Sequence, residues 1–321
     1  MSKILVIGGA GYIGSHVVLE LCEKGYEVVV FDNLSTGQKI NLPNFVPLIK
    51  GDILNTAEIE SSMAQNIDAV IHLAAKKAVG ESMERPDFYA SNNITGAINI
   101  LNAMLKFNVQ HIVFSSSAAV YGMPEYLPVD EKHPKNPMNF YGYTKSLIED
   151  LLEWYATLKG INYIALRYFN AVGYDALKRI KGKEKNPQNL LPIIIDAATS
   201  RRNGFSIFGS DYDTPDGTCE RDYIHVSDLA TAHEKAIQKL FSENKSYRLN
   251  LGTGIAVSVK EMVDATEEVI GKPLSYTYAP RRAGDPAKLV ANADLARSVL
   301  GWTPKYTNIK EIIKTTWNME K

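Results

Sequence analysis

The chain has 321 residues, of which 45% are hydrophobic and 22% charged, with a formal net charge of −1. That balance excludes a disordered segment and supplies no basic surface for nucleic acid or an anionic membrane, while a charged small ligand remains compatible with it. Its two cysteines, Cys22 and Cys219, are spaced for neither a metal site nor a disulfide framework. The N-terminus lacks a signal peptide's pattern, and no run approaches the ~18 apolar residues of a membrane span, so a cytoplasmic protein with reduced thiols is expected.

In chain order, short Val- and Ile-rich runs alternate with longer amphipathic ones. "KILVIGG" precedes a predicted helix over 12–24, then come "YEVVVFD" and "FVPLIKGD" with a helix over 56–64. "DAVIHLAA" leads to a helix over 86–107, "HIVFSSS" to one over 141–159, and "INYIALRYF" closes the series. Nearly continuous apolar strands separated by helices predict an α/β fold, a doubly wound parallel sheet of Rossmann type covered on both faces. Beyond about residue 170 the rhythm breaks at the Lys-rich stretch 178–189, read as an exposed loop. Shorter elements follow at 190–201, 205–208, 225–240, 247–251, 258–270 and 308–319. The expected division is a dinucleotide-binding domain over 1–170 and a smaller mixed substrate lobe over 171–321. The strand-like runs 161–169 and 247–251 are candidates to lie in the main sheet.

Gly8, Gly11 and Gly14 follow the first strand and open the first helix. Glycine permits the tight turn and close backbone approach, and a helix N-terminus offers free N–H groups to a pyrophosphate. Asp32 stands at the end of the second strand, 18 residues beyond Gly14. A carboxylate there accepts both adenosine ribose hydroxyls and repels a 2′-phosphate, which favours NAD over NADP. Asp52 and Ile53, after the third strand, are candidates to flank the adenine.

Tyrosine and lysine four apart occur at Tyr141/Lys145, Tyr155/Lys159, Tyr174/Lys178 and Tyr306/Lys310. Only the first pair follows a strand ending in hydroxyls, "FSSSAAVYG", at the carboxyl edge where open α/β sheets bind ligands. A tyrosine, with an ordinary pKa near ~10, needs nearby positive charge to act as a base, and a lysine one turn on supplies it.

These features, with "HLAA", resemble the extended short-chain dehydrogenase/reductase family. "KAVGES", "RYFN", "DGTCERDYIHV", "LNLGTG" and "RRAGDP" extend the likeness along the whole chain, to the UDP-glucose 4-epimerases within it. The resemblance implies that Ser117 and Tyr141 bond the sugar 4-hydroxyl and that Lys145 holds the nicotinamide ribose. It implies transient oxidation at C4 by tightly bound NAD, and a homodimer formed through the helices near 86–107 and 141–159. It assigns further cofactor contacts to Tyr12, Ile13, Asn33, Leu34, Ser35, Thr36, Leu73, Ala74, Ala75, Lys77, Asn92 and Phe169. Ala118 and Ala119 stand where related dehydratases carry an acid. A dehydratase, decarboxylase or reductase on the same scaffold, and a catalytically silent NAD sensor, are the alternative readings.

For the UDP-sugar, the resemblance nominates Arg221 and Arg282 as diphosphate donors, in keeping with the planar fork of guanidinium. It assigns Asn170 and Asn189 to the nucleotide sugar, Asp285 to the uridine ribose and Phe208 to the uracil. Leu289 falls where the family limits the C2 substituent. A leucine in place of a tyrosine there implies room for 2-acetamido sugars.

Overall fold

Along each central strand, successive side chains point to opposite faces, and both faces are apolar. Ile4 and Val6 belong to one core while Leu5 and Ile7 belong to another; Val28 and Val30 divide from Val29 and Phe31 in the same way. Such strands have no face to give to water, so helices must cover both sides. In the computed structural model, which describes residues 1–182, 187–282 and 284–321, they do. Residues 183–186 of the Lys-rich stretch lie outside the described residues.

The strands are β1 (Lys3–Ile7), β2 (Glu27–Asp32), β3 (Leu48–Lys50), β4 (Ala69–His72), β5 (His111–Ser117), β6 (Asn162–Tyr168), β7 (Asn170–Val172), β8 (Phe205–Phe208), β9 (Glu220–His225), β10 (Tyr247–Leu251), β11 (Ala256–Ser258), β12 (Tyr276–Ala279) and β13 (Lys288–Leu289). Seven of them form one sheet in the order β10-β6-β5-β4-β1-β2-β3. Every pairing in it is parallel. The chain starts in the middle, runs outward to β3, and returns across β1 to β4. The reversal leaves a crevice at the carboxyl ends of β1 and β4, the ligand position of doubly wound sheets.

The run 247–251 does join the main sheet, with Leu249 opposite Leu166 on β6. The helix Val226–Glu243 packs on the same face as the first helix, Tyr12–Glu23, and its buried Leu229, Ala236 and Leu240 share that core with Trp302. The opposite face carries the helices Thr56–Met63, Gly96–Lys106 and Phe140–Lys159. Beyond the sheet's carboxyl edge, β7, β9, β11 and β13 form a small mixed sheet, and β8 pairs with β12. Among the described residues, no helix is long and apolar enough to cross a membrane.

Two local features aim residues at the crevice. The helix expected over 86–107 is not uniform: Pro86–Tyr89 and Gly96–Lys106 are α-helical, but Ala90–Thr95 between them forms a π-helical turn. Each i→i+5 turn accommodates one more residue than an α-turn, a device common at functional sites. Here that turn buries the paired amides Asn92 and Asn93. The helix Phe140–Lys159 starts where the Asn139 side chain accepts from Gly142 N–H at 2.8 Å, and ends at Gly160 with a left-handed φ of 73°.

A single carboxylate ties the two sheets together. Asp222 on β9 is fully buried and accepts from the Thr253 and Gly254 amides at 2.8 and 2.9 Å, just past β10, and from the Ala291 amide at 3.2 Å, past β13. The Thr253 hydroxyl adds a bond at 2.7 Å. Losing it strands several buried donors, so Asp222→Ala is expected to destabilise the protein by about 3 to 5 kcal/mol. Urea unfolding of the variant beside the wild type measures that directly.

Candidate active site

The glycine-rich turn packs so closely on its own backbone that nothing larger than hydrogen fits at Gly8 or Gly14. Gly8 has a φ of 85°, and a Cβ on it would stand 2.6 Å from Ala74 N; a Cβ on Gly14 would stand 2.2 Å from the Gly8 carbonyl oxygen. Gly11 caps the first helix with no side chain competing for its first-turn amides, which leaves them to an anion. Asp32 is buried at the end of β2 and accepts from the Ala10 and Leu34 amides at 3.0 and 2.8 Å. Burial holds its pKa above the usual carboxylate value against those two bonds.

One cavity gathers most of the predicted cofactor residues: Gly8, Gly11, Tyr12, Ile13, Gly14, Asp32, Asn33, Ser35, Thr36, Ile53, Leu73, Ala74, Ala75, Lys77, Asn92, Tyr141 and Lys145. Leu34, Asp52 and Phe169 stand outside its lining. Leu34 takes a left-handed φ of 59° and packs on the core; Asp52 accepts from the Asn33 side chain at 2.9 Å. Phe169 is buried in a separate apolar cluster with Ala118, Val120, Tyr121, Val129 and Ala291. The cavity also recruits Ser115, Tyr168, Lys76 and Asn41, which motif reading did not single out. Tyr168 lies inside the quoted "RYFN", and its hydroxyl bonds the Ser115 hydroxyl in the buried floor.

Helix Phe140–Lys159 brings Tyr141 and Lys145 onto one face, against the end of β5. Tyr141 faces Ser117, and burial pushes its pKa up while the Ser117 hydroxyl opposes the rise. Lys145 is buried; its Nζ donates to the Ser115 carbonyl at 2.7 Å and lies 4.8 Å from the centre of the Phe114 ring. Desolvation brings its pKa down to about 7, with the Glu149 charge resisting. The helix is held in place by Asn93, whose amide donates to Thr144 Oγ1 at 3.1 Å and to the Lys76 carbonyl at 3.0 Å. The other Tyr/Lys pairs have no such setting: Tyr155 bonds Asn102, Tyr174 packs at a tilt against Tyr12, and Tyr306 stacks on His225.

The predicted substrate residues divide into groups. Arg221 and Leu289 are paired across β9 and β13, and Arg221 forms an ion pair with Asp285. Leu289 packs against the cluster of Ala118 and Phe169, beside the turn that follows Ser117. Asn170 begins β7 opposite Tyr223 on β9 and is exposed. Arg282 lies over the Phe208 ring at 3.9 Å. Asn189 is the N-cap of the helix Leu190–Ala198, and its side chain bonds no amide of that helix.

A dinucleotide cradle beside a Ser-Tyr-Lys set at the carboxyl edge of a doubly wound sheet defines the class as a dinucleotide-dependent enzyme of the short-chain dehydrogenase/reductase kind. The NAD dependent epimerase/dehydratase family model matches residues 4–252, and the chain belongs to that family. It is 46% identical over 318 residues to a UDP-glucose 4-epimerase of Rhizobium meliloti, covering 99% of this chain and 96% of that protein. Among solved structures it is similar to a UDP-glucose 4-epimerase from Brucella ovis in complex with NAD, at TM-score 0.96 and 41% identity over 99% of this chain and 98% of that one. A Bifidobacterium longum UDP-glucose 4-epimerase in complex with NAD+ and UDP is similar at TM-score 0.94 and 38% identity, with 99% and 98% covered.

Because a methyl group at residue 14 has no room, Gly14→Ala should force the turn open and abolish cofactor retention while the sheet still folds. Protein purified from this variant and denatured should release less than about a tenth of the wild type's NAD, a loss of at least ~1.4 kcal/mol in binding. Equal recovery from both would show that the turn does not hold the dinucleotide.

Proposed function

We propose that this chain interconverts UDP-galactose and UDP-glucose by oxidising C4 to a ketone and reducing it again on the opposite face, with NAD retained throughout. The observation that carries this reading is the convergence of Ser117, Tyr141 and Lys145 beside the glycine cradle and Asp32. NAD, when bound, supplies the reversible two-electron oxidation. The amides that open the first helix would hold its pyrophosphate, Asp32 its adenosine ribose and Lys145 its nicotinamide ribose. Tyr141 takes the 4-hydroxyl proton and later returns it, and Ser117 orients both oxygens. Protonated Lys145 lowers the cost of charge on Tyr141, which burial otherwise raises.

The main sheet with residues 1–170 would carry the dinucleotide, and most of 171–321 the nucleotide sugar. Arg221 and Arg282 would meet the diphosphate, and Asp285, ion-paired with Arg221, the uridine ribose. Phe208 offers an aromatic face to the uracil, and Asn170 and Asn189 offer amides to the nucleotide sugar. Buried, apolar surroundings at Ala118 leave no acid where dehydration would need one. Trp154 and Leu158 stand exposed on the helix Phe140–Lys159, a face that supports the homodimer reading. The free thiols of Cys22 and Cys219 suit a cytoplasmic setting.

Wild-type protein given UDP-galactose and no added cofactor should yield UDP-glucose with no net NADH; a 4-keto-6-deoxy product would favour a dehydratase, and no product a sensor. Tyr141→Phe should lose on the order of 10²-fold or more in turnover, with Tyr155→Phe unaffected as the matched control. A Tyr141 variant near wild-type rate would refute the assignment.

The pocket beside Leu289 is expected to admit UDP-N-acetylgalactosamine as well. Overpacking a closed pocket costs about 1 to 3 kcal/mol, so Leu289→Tyr should shift relative kcat/KM against the acetamido sugar by roughly 5- to 150-fold. An unchanged ratio would show that Leu289 is not the gate.

A further inference from the structure

Glu149 lies one helical turn beyond Lys145 and two beyond Tyr141, on the same face of Phe140–Lys159, and no part of it reaches solvent. Its Oε1 accepts from the Ser116 hydroxyl at 2.5 Å and from Arg167 Nε at 2.9 Å, while Oε2 accepts a second Arg167 bond at 2.5 Å. Ser116 and Arg167 face each other across β5 and β6. Arg167 continues to the Tyr121 hydroxyl at 2.9 Å, and Tyr121 to Asn250 on β10 at 2.6 Å. One carboxylate therefore joins the catalytic helix to two strands and, through Arg167 and Tyr121, to a third.

Ser116 is the middle residue of the serine triplet. Its neighbour Ser115 presents the carbonyl that takes Lys145 Nζ, and its other neighbour Ser117 faces Tyr141. A strand end free to shift by a fraction of an ångström would misplace both at once. We propose that Glu149 is a positioning residue for this reaction: by bonding Ser116 and Arg167 it locks the end of β5 in register with Tyr141 and Lys145. The role rests on the epimerase reading above.

Charge adds a second signature. The groups facing Glu149 are Arg167 on β6, Arg248 on β10 at 3.6 Å, Lys135 at 3.9 Å and Tyr163, together with Lys145 on its own helix. Those facing Lys145 are Tyr141, Glu149 and, from β4, His72, which burial and the lysine's charge keep neutral with a pKa of about 3. Glu149 raises the Lys145 pKa, so its removal must lower it, and the unbalanced Arg167 acts in the same direction. The protonated lysine is then lost at lower pH, and the alkaline limb of kcat moves down.

The test uses the full-length enzyme with its retained NAD, comparing wild type, Ser116→Ala and Glu149→Gln for kcat and KM on UDP-galactose across pH, per mole of bound NAD, with thermal midpoints. Ser116→Ala keeps the ion pair and should lower kcat by about tenfold or more, within what a small misplacement of reacting groups costs, with KM within about twofold. Glu149→Gln should lose more and shift the alkaline limb to lower pH. Wild-type kcat in Ser116→Ala, or a lowered midpoint in Glu149→Gln with unchanged kcat and limb, overturns the proposal; if Glu149→Gln fails to fold, Ser116→Ala decides alone. Titration of Lys145 by NMR of ¹³Cε-labelled lysine reads the same effect without substrate. A wild type inactive on UDP-galactose would thus fault the functional reading, and this titration would still decide the positioning role.

Discussion

A buried ammonium group is the constraint around which the site is arranged. Lys145 has been taken out of water, and a charge so placed is tolerated only where acceptors and counter-charge are built in. Its partners are the Ser115 carbonyl, the face of Phe114 and, a turn away, the carboxylate of Glu149. The first two come from β5 and cannot be supplied by the helix. The helix must sit against β5 at one height, and β5 must keep its register with β6 from His111–Asn162 to Ser117–Tyr168.

The rest of the architecture serves that alignment. Purely parallel strands place every strand's carboxyl end on one edge, and the chain reversal between β1 and β4 opens that edge to a ligand. The dinucleotide cradle and the Ser-Tyr-Lys set come from strands on opposite sides of the reversal. They meet only because β4 lies between β1 and β5 in the sheet. The π-turn at Ala90–Thr95 adds a lateral fix, since Asn93 bonds both the loop after β4 and Thr144 on the helix Phe140–Lys159.

The C-terminal half is interleaved with the first and not appended to it. β10 and the helix Val226–Glu243 complete the large sheet and one of its cores, while β9 and β13 carry Arg221 and Leu289 to the carboxyl edge. Asp222 holds this arrangement from inside, through donors on both sheets. An aspartate in "CERDY" has nothing in its neighbours to announce that work.

Much of the fold was legible because local chemistry carried it. Two-sided apolar strands demand helices on both faces, and Gly8, Gly11, Gly14 and Asp32 sit at fixed offsets from a strand end. The hydroxyl-rich end of β5 singled out Tyr141 and Lys145 among four equivalent spacings. The π-turn was not legible, since Asn93 within it is held by the Lys76 carbonyl and Thr144, partners that only the packed chain brings near. Nor were the bonds of Asp222, Glu149, Arg167 and Asn250, whose partners lie between 18 and 129 residues away and depend on strand order. By itself, then, the sequence determined the parallel sheet and the glycine turn and set Tyr141 and Lys145 apart from the other pairs, because each is a short-range pattern with a steric or electrostatic meaning. Only the tertiary structure decided how a buried lysine is held and which carboxylates hold the strands around it, because burial is a property of the packed chain and not of any segment.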